Sequence, residues 1–201
     1  MKKILIILSL FFLALNSHAK DEDLLNASNA YELTMREANV DKKSLVDTSK
    51  AILIFPSVKK VGFIVAGMYG NGVALIKNGS NFNAYETSIS NGSIGFQIGY
   101  EDNYMVLFVM NDEILNSMIN ANIKLGVDAT VSLYKASASV GAVSVFDKDV
   151  YAFVNKAGAF AGVNIGGFVV NIDTGKIFNQ NSYAFENLVK TIKKAYWWAK
   201  C

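Results

Sequence analysis

The side chains that most often do chemistry in proteins are scarce in this chain. Among its 201 residues there is one histidine, His18, and one cysteine, Cys201. His18 falls within residues 1–19, which carry an export signal described next, so the mature domain would have no Ser-His-Asp or Cys-His pair. Cys201 alone cannot form an intramolecular disulfide or a thiolate metal cage. Because spacing reveals no catalytic carboxylate pair, we predict a protein that is not an enzyme and needs no cofactor and no metal.

Residues 1–19 have the pattern of a secretory signal peptide. Lys2 and Lys3 precede an apolar run, and the small residues Ser17 and Ala19 stand third from last and last before the expected cleavage site. The run is about 12 residues long, shorter than the roughly 20 that cross a bilayer. We therefore predict that residues 20–201 form one exported domain, periplasmic or secreted, that can lie peripherally on a membrane. An uncleaved membrane anchor is the alternative.

The predicted mature domain is formally neutral. The full chain carries 19 basic and 17 acidic residues, and removing residues 1–19 takes away two lysines and no acid, which leaves 17 of each. A domain that binds nucleic acid by general electrostatics is usually clearly basic, so we expect no nucleic-acid partner. The hydrophobic content of 52% excludes an intrinsically disordered chain.

Hydrophobic periodicity divides the mature chain into helical ends and a strand-rich middle. Apolar residues at steps of three and four predict helices over 21–38, 42–50 and 183–200. Between 51 and 172 the pattern predicts strands separated by Gly, Asn and Asp. Within this region Asn111 can cap a short helix whose first turn holds Asp112 and Glu113.

The turn signals and the alternation within the middle region predict how its strands are joined. Asn78-Gly79 and Asn91-Gly92 indicate hairpin turns. The segment GMYGNG at 67–72 indicates a tight or bulged β-turn, since a dinucleotide loop would lead into a helix and a strand follows here. The alternation at 94–100, 105–109 and 127–133 predicts one buried face and one face toward solvent or a ligand.

Together these patterns predict an α+β fold. It has a curled antiparallel β-sheet, barrel- or sandwich-like, because glycines inside strands often mark bends where a sheet curls. Helices lie at its N-terminal, middle and C-terminal positions. We find no internal repeat and no boundary that would divide residues 20–201 into two domains.

A series of short segments in order carries a family resemblance. The segments are FPSVKKVGF at 55–63, GMYGNG at 67–72, GFQIG at 95–99, MNDEI at 110–114, LGVD at 125–128, KAGAFAGV at 156–163, and Tyr183. In this order and spacing the chain resembles the SYLF domain family, known from lipid-binding and actin-binding eukaryotic proteins and from small exported bacterial proteins. The resemblance covers about residues 25–185.

The resemblance implies a binding module whose usual ligand is membrane lipid, especially anionic phospholipid. It matches Lys60 and Lys156 to basic positions of the family and Asp112-Glu113 to its acidic pair. The chain departs from the family in its leading helix, which is acidic rather than basic. Actin is not an expected partner of an exported protein, and the phosphoinositides bound by eukaryotic relatives are generally lacking in bacteria.

The predicted lipid contacts combine lysines with neighbouring apolar or aromatic residues, because such pairs suit the boundary between headgroups and acyl chains. They are Lys59, Lys60, Phe63, Lys156, Lys190, Lys193, Lys194, Trp197 and Trp198. The alternatives are ordinary solvated lysines and a C-terminal helix whose aromatic residues pack on the sheet. For the function as a whole, two alternatives stay open: an interaction or scaffold module for an envelope protein, and a carrier of an apolar ligand within the sheet.

Overall fold

A computed structural model describes the backbone of residues 2–62, 65–94, 99–121, 123–135, 146–155 and 167–194. Side chains are described for 20–59, 67–91, 102–121, 123–134, 146–155 and 167–194. The helices in this part of the chain are α1 (Lys2–Glu37), α2 (Lys42–Thr48), α3 (Asp112–Ile119) and α4 (Tyr183–Lys194). The strands are β1 (Ala51–Gly62), β2 (Val65–Asn78), β3 (Asn81–Ile94), β4 (Gly99–Val109), β5 (Lys124–Leu125), β6 (Val131–Lys135), β7 (Val150–Val154) and β8 (Phe168–Ile177).

The described strands form one curled sheet in the order β5-β8-β3-β2-β1-β4-β7-β6. The two edge strands, β5 and β6, are separated in sequence by residues 126–130, and an isolated bridge joins Leu125 to Ala129. Such a short connection between the two edges requires the sheet to bend back on itself, and it is nearly barrel-shaped. The α+β prediction is confirmed. The sheet is mixed rather than wholly antiparallel, because β6 and β7 pair in parallel.

Hydrophobic side chains are buried on both faces of the sheet. The inner core lies within the curl and includes Leu53, Leu107 and Met118 of α3. The outer core lies between the sheet and helices α1, α2 and α4, and includes Ile52 and Phe108. The prediction that one face is solvated is therefore wrong for the central strands, where neighbouring residues such as Leu107 and Phe108 are both buried. Helices cover the outer face there, so its residues are apolar as well.

The alternation predicted at 127–133 also fails at its first position. Val127 lies in the turn between β5 and β6 and is 67% exposed. The residues 95–98 of the alternation predicted at 94–100 lie outside the described part of the chain. The predicted C-terminal helix is described to Lys194, and its last residues likewise lie outside.

The glycine-rich segment 67–72 is a continuous part of β2, so the predicted turn is wrong. Gly70 pairs with Val58 on β1 and with Ile89 on β3. The pairing of β1 with β2 shifts between Ile54 and Ser57. A Cβ at Gly72 would lie 2.1 Å from the carbonyl oxygen of Ile54. These glycines therefore mark a close approach of two strands rather than a reversal of the chain.

One of the two predicted Asn-Gly hairpins is confirmed. Asn78 pairs with Asn81, so Gly79 and Ser80 form a two-residue loop, and Gly79 has the positive φ of 61° that such a loop favours. The hairpin predicted at Asn91-Gly92 is wrong, because both residues lie within β3 and pair with β2.

The predicted cap of the middle helix is confirmed. The side chain of Asn111 accepts a hydrogen bond from the backbone N–H of Ile114 at 2.8 Å, which satisfies a donor that the first turn of a helix leaves free. Asp112 in that turn forms an ion pair of 3.0 Å with Lys50, which precedes β1. Asp112 lies in the first turn of α3, as predicted, and its ion pair also links α3 to the start of β1.

Asp149 joins three elements before β7 begins. Its Oδ2 accepts hydrogen bonds from the backbone N–H and the hydroxyl of Thr130, both at 2.8 Å. Its Oδ1 accepts one from Nδ2 of Asn111, the cap of α3. The hydrogen bonds from Thr130 are the largest cause that holds the pKa of Asp149 below its ordinary value. The carboxylate thereby connects α3 with the starts of the parallel strands β6 and β7.

We expect Asp149→Asn to lower the free energy of unfolding by about 1–2 kcal/mol at neutral pH, because an amide cannot accept all these hydrogen bonds. A lowered folded-state pKa stabilises the protein above the unfolded value, and this contribution is lost as pH falls through the folded value. The difference from wild type should therefore shrink in acid. Urea unfolding at neutral and acidic pH measures it, with the exposed Glu113→Gln as control; an equal difference at both pH values would contradict the assignment.

Candidate functional site

Helix α4 lies alongside α1 on the outer face of the sheet. The hydroxyls of Ser28 on α1 and Thr191 on α4 are 2.8 Å apart and buried. Leu24 of α1 and Leu188 of α4 belong to the same outer core. Both helices present apolar sides to the sheet, so burial of those sides fixes them next to each other. This packing sets the C-terminal turns of α1 and α4 side by side.

These two turns and the start of α2 line a small, partly open cavity with a basic rim. Its volume is about 20 Å³, which is room for about one water molecule. The residues that line it are Tyr31, Glu32, Met35, Arg36, Lys42, Thr191 and Lys194. We call Arg36, Lys42 and Lys194 the basic face. They come from three helices, and the described lining contains one carboxylate, that of Glu32.

Two of these cations lie at the C-terminal ends of helices, and the third begins α2. Arg36 lies in the last turn of α1 and Lys194 in the last described turn of α4, where helix dipoles add partial negative charge that stabilises cations. Partial burial lowers the pKa of Lys42 below its ordinary value. Tyr31 and Met35, which belong to the outer core, give the cavity an apolar floor.

Three of the predicted lipid contacts share helix α4, and a fourth, Lys59, lies away from the cavity. Lys190, Lys193 and Lys194 are all exposed on α4. Lys59 lies on β1, paired with Tyr69 and Asp102, and does not line the cavity. Since Val58 belongs to the inner core, Lys59 points to the outer face of the sheet.

The other predicted contacts cannot be placed on this surface. The side chains of Lys60, Phe63, Lys156, Trp197 and Trp198 lie outside the described residues. Sequence reasoning missed Arg36 and Lys42. The sequence places Arg36 near the end of one predicted helix and Lys42 at the start of the next. Neither helix contains a local pattern that indicates that α4 packs beside these two residues.

A second, larger depression lies at the other end of the described part of α1. Its volume is about 420 Å³. The residues that line it are Asp23, Pro56, Asn71, Gly72, Glu86, Thr87, Ser88, Asn171, Asp173, Lys176 and Phe178. We call it the polar groove. Its carboxylates are at Asp23, Glu86 and Asp173, so it contrasts in charge with the basic face.

Ion pairs connect the elements around the polar groove. The carboxylate of Glu86 on β3 pairs with two lysines: its Oε1 lies 3.4 Å from Nζ of Lys20 on α1, and its Oε2 lies 3.4 Å from Nζ of Lys176 on β8. Lys176 also lies 3.4 Å from Asp173. These pairs are largely solvent-exposed, so each contributes little to stability. Asp23 and Arg36 are 13 residues apart on one helix, or about 20 Å at the helical rise, so the two sites lie at different ends of the described part of α1.

Partial burial is the main cause that raises the pKa of Asp23, followed by repulsion from Glu86 and Glu22. A raised folded-state pKa means that the ionised group opposes folding above that value, and that the penalty disappears as pH falls below the unfolded value. We therefore expect Asp23→Asn to raise the midpoint of thermal unfolding slightly at neutral pH and to lose this advantage in acid. Asp21→Asn on the same helix is the control. A variant less stable than wild type at neutral pH would contradict this prediction.

Two kinds of specialised feature are absent from the described residues. Within them, no three side chains of His, Cys, Asp or Glu come together in a way that could hold a metal ion. Among the same residues, no helix is both long and apolar enough to cross a membrane.

Comparison with models of known protein families identifies a match. Residues 90–192 match the family model Ysc84, described as "Las17-binding protein actin regulator". The matched region runs from the end of β3 to α4 and thus includes α3, the parallel strand pair and Lys190 of α4. Neither curated proteins nor solved structures give a match.

Proposed function

The chain belongs to the Ysc84 family of SYLF domains, a family of lipid- and actin-binding-like modules, and on this basis we propose that it binds anionic phospholipid surfaces through the basic face. The matched region confirms the resemblance drawn from the sequence. In this role the chain adsorbs to a charged surface and does not convert a substrate.

The observation that carries the proposal is the convergence of Arg36, Lys42 and Lys194 around one apolar-floored cavity. Each basic residue near an anionic membrane surface contributes about 1 kcal/mol. The basic face therefore supplies about 3 kcal/mol, and the exposed Lys190 and Lys193 on the same helix can add to it. Attraction of this size suits reversible, peripheral binding, which needs no membrane-spanning helix.

The polar groove supports one orientation on the membrane. Of its three carboxylates, that of Asp23 lies about 20 Å along α1 from Arg36. The groove lining holds three acidic side chains and one basic one, so an anionic surface repels it. Binding by the basic face keeps the groove away from the headgroups, whereas the opposite orientation would bring like charges together. The excess of basic side chains at the basic face and of acidic side chains at the polar groove therefore favours one way of docking.

Vesicle sedimentation tests the proposal. The protein, expressed from its full sequence, is mixed with vesicles of neutral lipid alone or of neutral lipid with anionic phospholipid, over a range of salt concentrations. We expect sedimentation to require anionic lipid and to weaken as salt rises, because salt screens charges over about 8–10 Å at moderate ionic strength. Equal sedimentation with both vesicle types, or none with either, would contradict the proposal.

We also propose that residues 1–19 direct export and that the mature domain acts in the cell envelope. The support is the sequence pattern of a basic start, an apolar run and small residues before Lys20. Actin, which the family description names, is not part of the proposal, because an exported protein does not meet it. The mass of the protein recovered from the envelope fraction tests the processing, and a mass that retains residues 1–19 would contradict it.

A further inference from the structure

The chain contains three Asn-Gly pairs, Asn71-Gly72, Asn78-Gly79 and Asn91-Gly92, in very different surroundings. Asn-Gly is a reactive dipeptide, because glycine has no side chain to hinder attack by its backbone nitrogen on the preceding side chain. We propose that Asn78 is a site of spontaneous, self-catalysed deamidation, and that the sheet protects Asn71 and Asn91 from the same reaction.

The reaction needs only the protein and water. The backbone nitrogen of Gly79 attacks Cγ of Asn78, a new C–N bond forms, and the side-chain amide nitrogen leaves as ammonia with the proton that the attacking nitrogen loses. The product is a five-membered succinimide ring. Water then adds to one of the two ring carbonyls and breaks that C–N bond, which gives aspartate or isoaspartate. In sum, asparagine and water become an acidic residue and ammonia.

The environment of Asn78 leaves room for this ring. Asn78, Gly79 and Ser80 are all exposed, and the loop residues Gly79 and Ser80 lie beyond the last strand pair. A Cβ built on Gly79 would meet nothing within 4 Å. Hairpin ends of this kind open locally at little cost in free energy, so the backbone can leave its starting conformation to form the ring.

The other two pairs are held within the sheet. Gly72 lies between β1 and β3, and a Cβ there would lie 2.1 Å from the carbonyl oxygen of Ile54, so the backbone is tightly confined. Asn91 and Gly92 pair with Met68 and Gly67 on β2. A ring at either site requires the strand to open first. An opening cost of only about 1.4 kcal/mol slows the reaction tenfold, and strands of a folded sheet open at higher cost than hairpin ends.

The modification would act on a contact between the hairpin and α2. Lys77, the residue before Asn78, donates hydrogen bonds from its ammonium to the carbonyl oxygens of Val46 and Asp47 at the end of α2. Isoaspartate adds one carbon to the main chain at the pair of Asn78 with Asn81. This lengthening would shift Lys77 relative to α2, so we expect aged protein to unfold at a lower temperature than fresh protein.

Ageing of the full chain at mildly alkaline pH tests the inference, with peptide mass spectrometry measuring the acid formed at each asparagine. In the native protein we expect Asn78 to react at least about tenfold faster than Asn71 and Asn91, equivalent to about 1.4 kcal/mol in activation free energy. In denaturant all three should react at similar rates, because each precedes glycine. The inference is overturned if Asn71 or Asn91 keeps pace in the native protein, or if Asn78 stays intact there.

A variant gives an independent measurement. Asn78→Gln keeps the amide but would need a larger ring, so it should react far more slowly. We expect its unfolding temperature to stay constant during ageing while that of wild type falls. An equal fall in both proteins would show that the change does not arise at Asn78.

Discussion

The double substitution Arg36→Gln and Lys194→Gln is expected to weaken binding to anionic vesicles roughly 30-fold. Each basic residue contributes about 1 kcal/mol near an anionic surface, and 2 kcal/mol corresponds to about this factor in affinity. Both residues line the cavity of the basic face, and glutamine keeps much of their length. Vesicle sedimentation at low salt measures the change, and the dependence of binding on salt should become weaker in the variant.

A matched control removes the same amount of charge elsewhere. Lys59 on β1 and Lys124 on β5 do not line the cavity of the basic face. We expect Lys59→Gln with Lys124→Gln to change vesicle binding less than about threefold, or roughly 0.6 kcal/mol. If this pair weakens binding as much as the Arg36 and Lys194 pair, then charge in general matters and the basic face is not the site. If vesicle binding is weakened only in the control variant, the result would favour the lipid contact at Lys59 that the sequence predicts.

Gly72→Ala is expected to have the largest effect on stability, a loss of about 3 kcal/mol in the free energy of unfolding. The added Cβ would lie 2.1 Å from the carbonyl oxygen and 2.9 Å from the carbonyl carbon of Ile54. These are backbone atoms of β1 at the point where the strand pairing shifts, so no flexible side chain can move away. Urea unfolding monitored by circular dichroism measures the change.

The same substitution five residues earlier is the control. Gly67 also lies in β2, but the nearest atom to its Cβ would be the backbone oxygen of Asn91, 4.0 Å away. We expect Gly67→Ala to change the free energy of unfolding by less than about 1 kcal/mol. Equal losses in the two variants would show that glycine is needed along the whole segment for another reason than the close approach to β1.

The glycine segment also shows why local rules fail in the middle of a sheet. The sequence GMYGNG has the composition of a turn, and Asn91-Gly92 has that of a hairpin, yet both lie inside long strands. Turn propensity is a local preference, and pairing with strands on either side overrides it. At Asn78-Gly79 the local preference and the register agree, and there the hairpin is confirmed.

The residues of the basic face show the same division for the functional site. Lys190, Lys193 and Lys194 are evident in the sequence because they follow the polar side of a helical pattern. Arg36 and Lys42 become part of the same site only because α1 and α4 pack side by side. That contact joins residues 163 positions apart, a separation for which the sequence of either helix contains no signal.

The sequence by itself determined the helices at both ends, the strand-rich middle, the cap at Asn111, the Asn78-Gly79 hairpin and the family. Each of these depends on periodicity or on groups a few residues apart, which act over one or two turns of the chain. The tertiary structure alone decided that both faces of the sheet are covered, that β6 and β7 run in parallel, and which cations meet. Those features arise from the burial of apolar faces against distant segments. The hydrophobic effect is non-directional, so a local pattern shows which face is apolar but not which distant segment covers it.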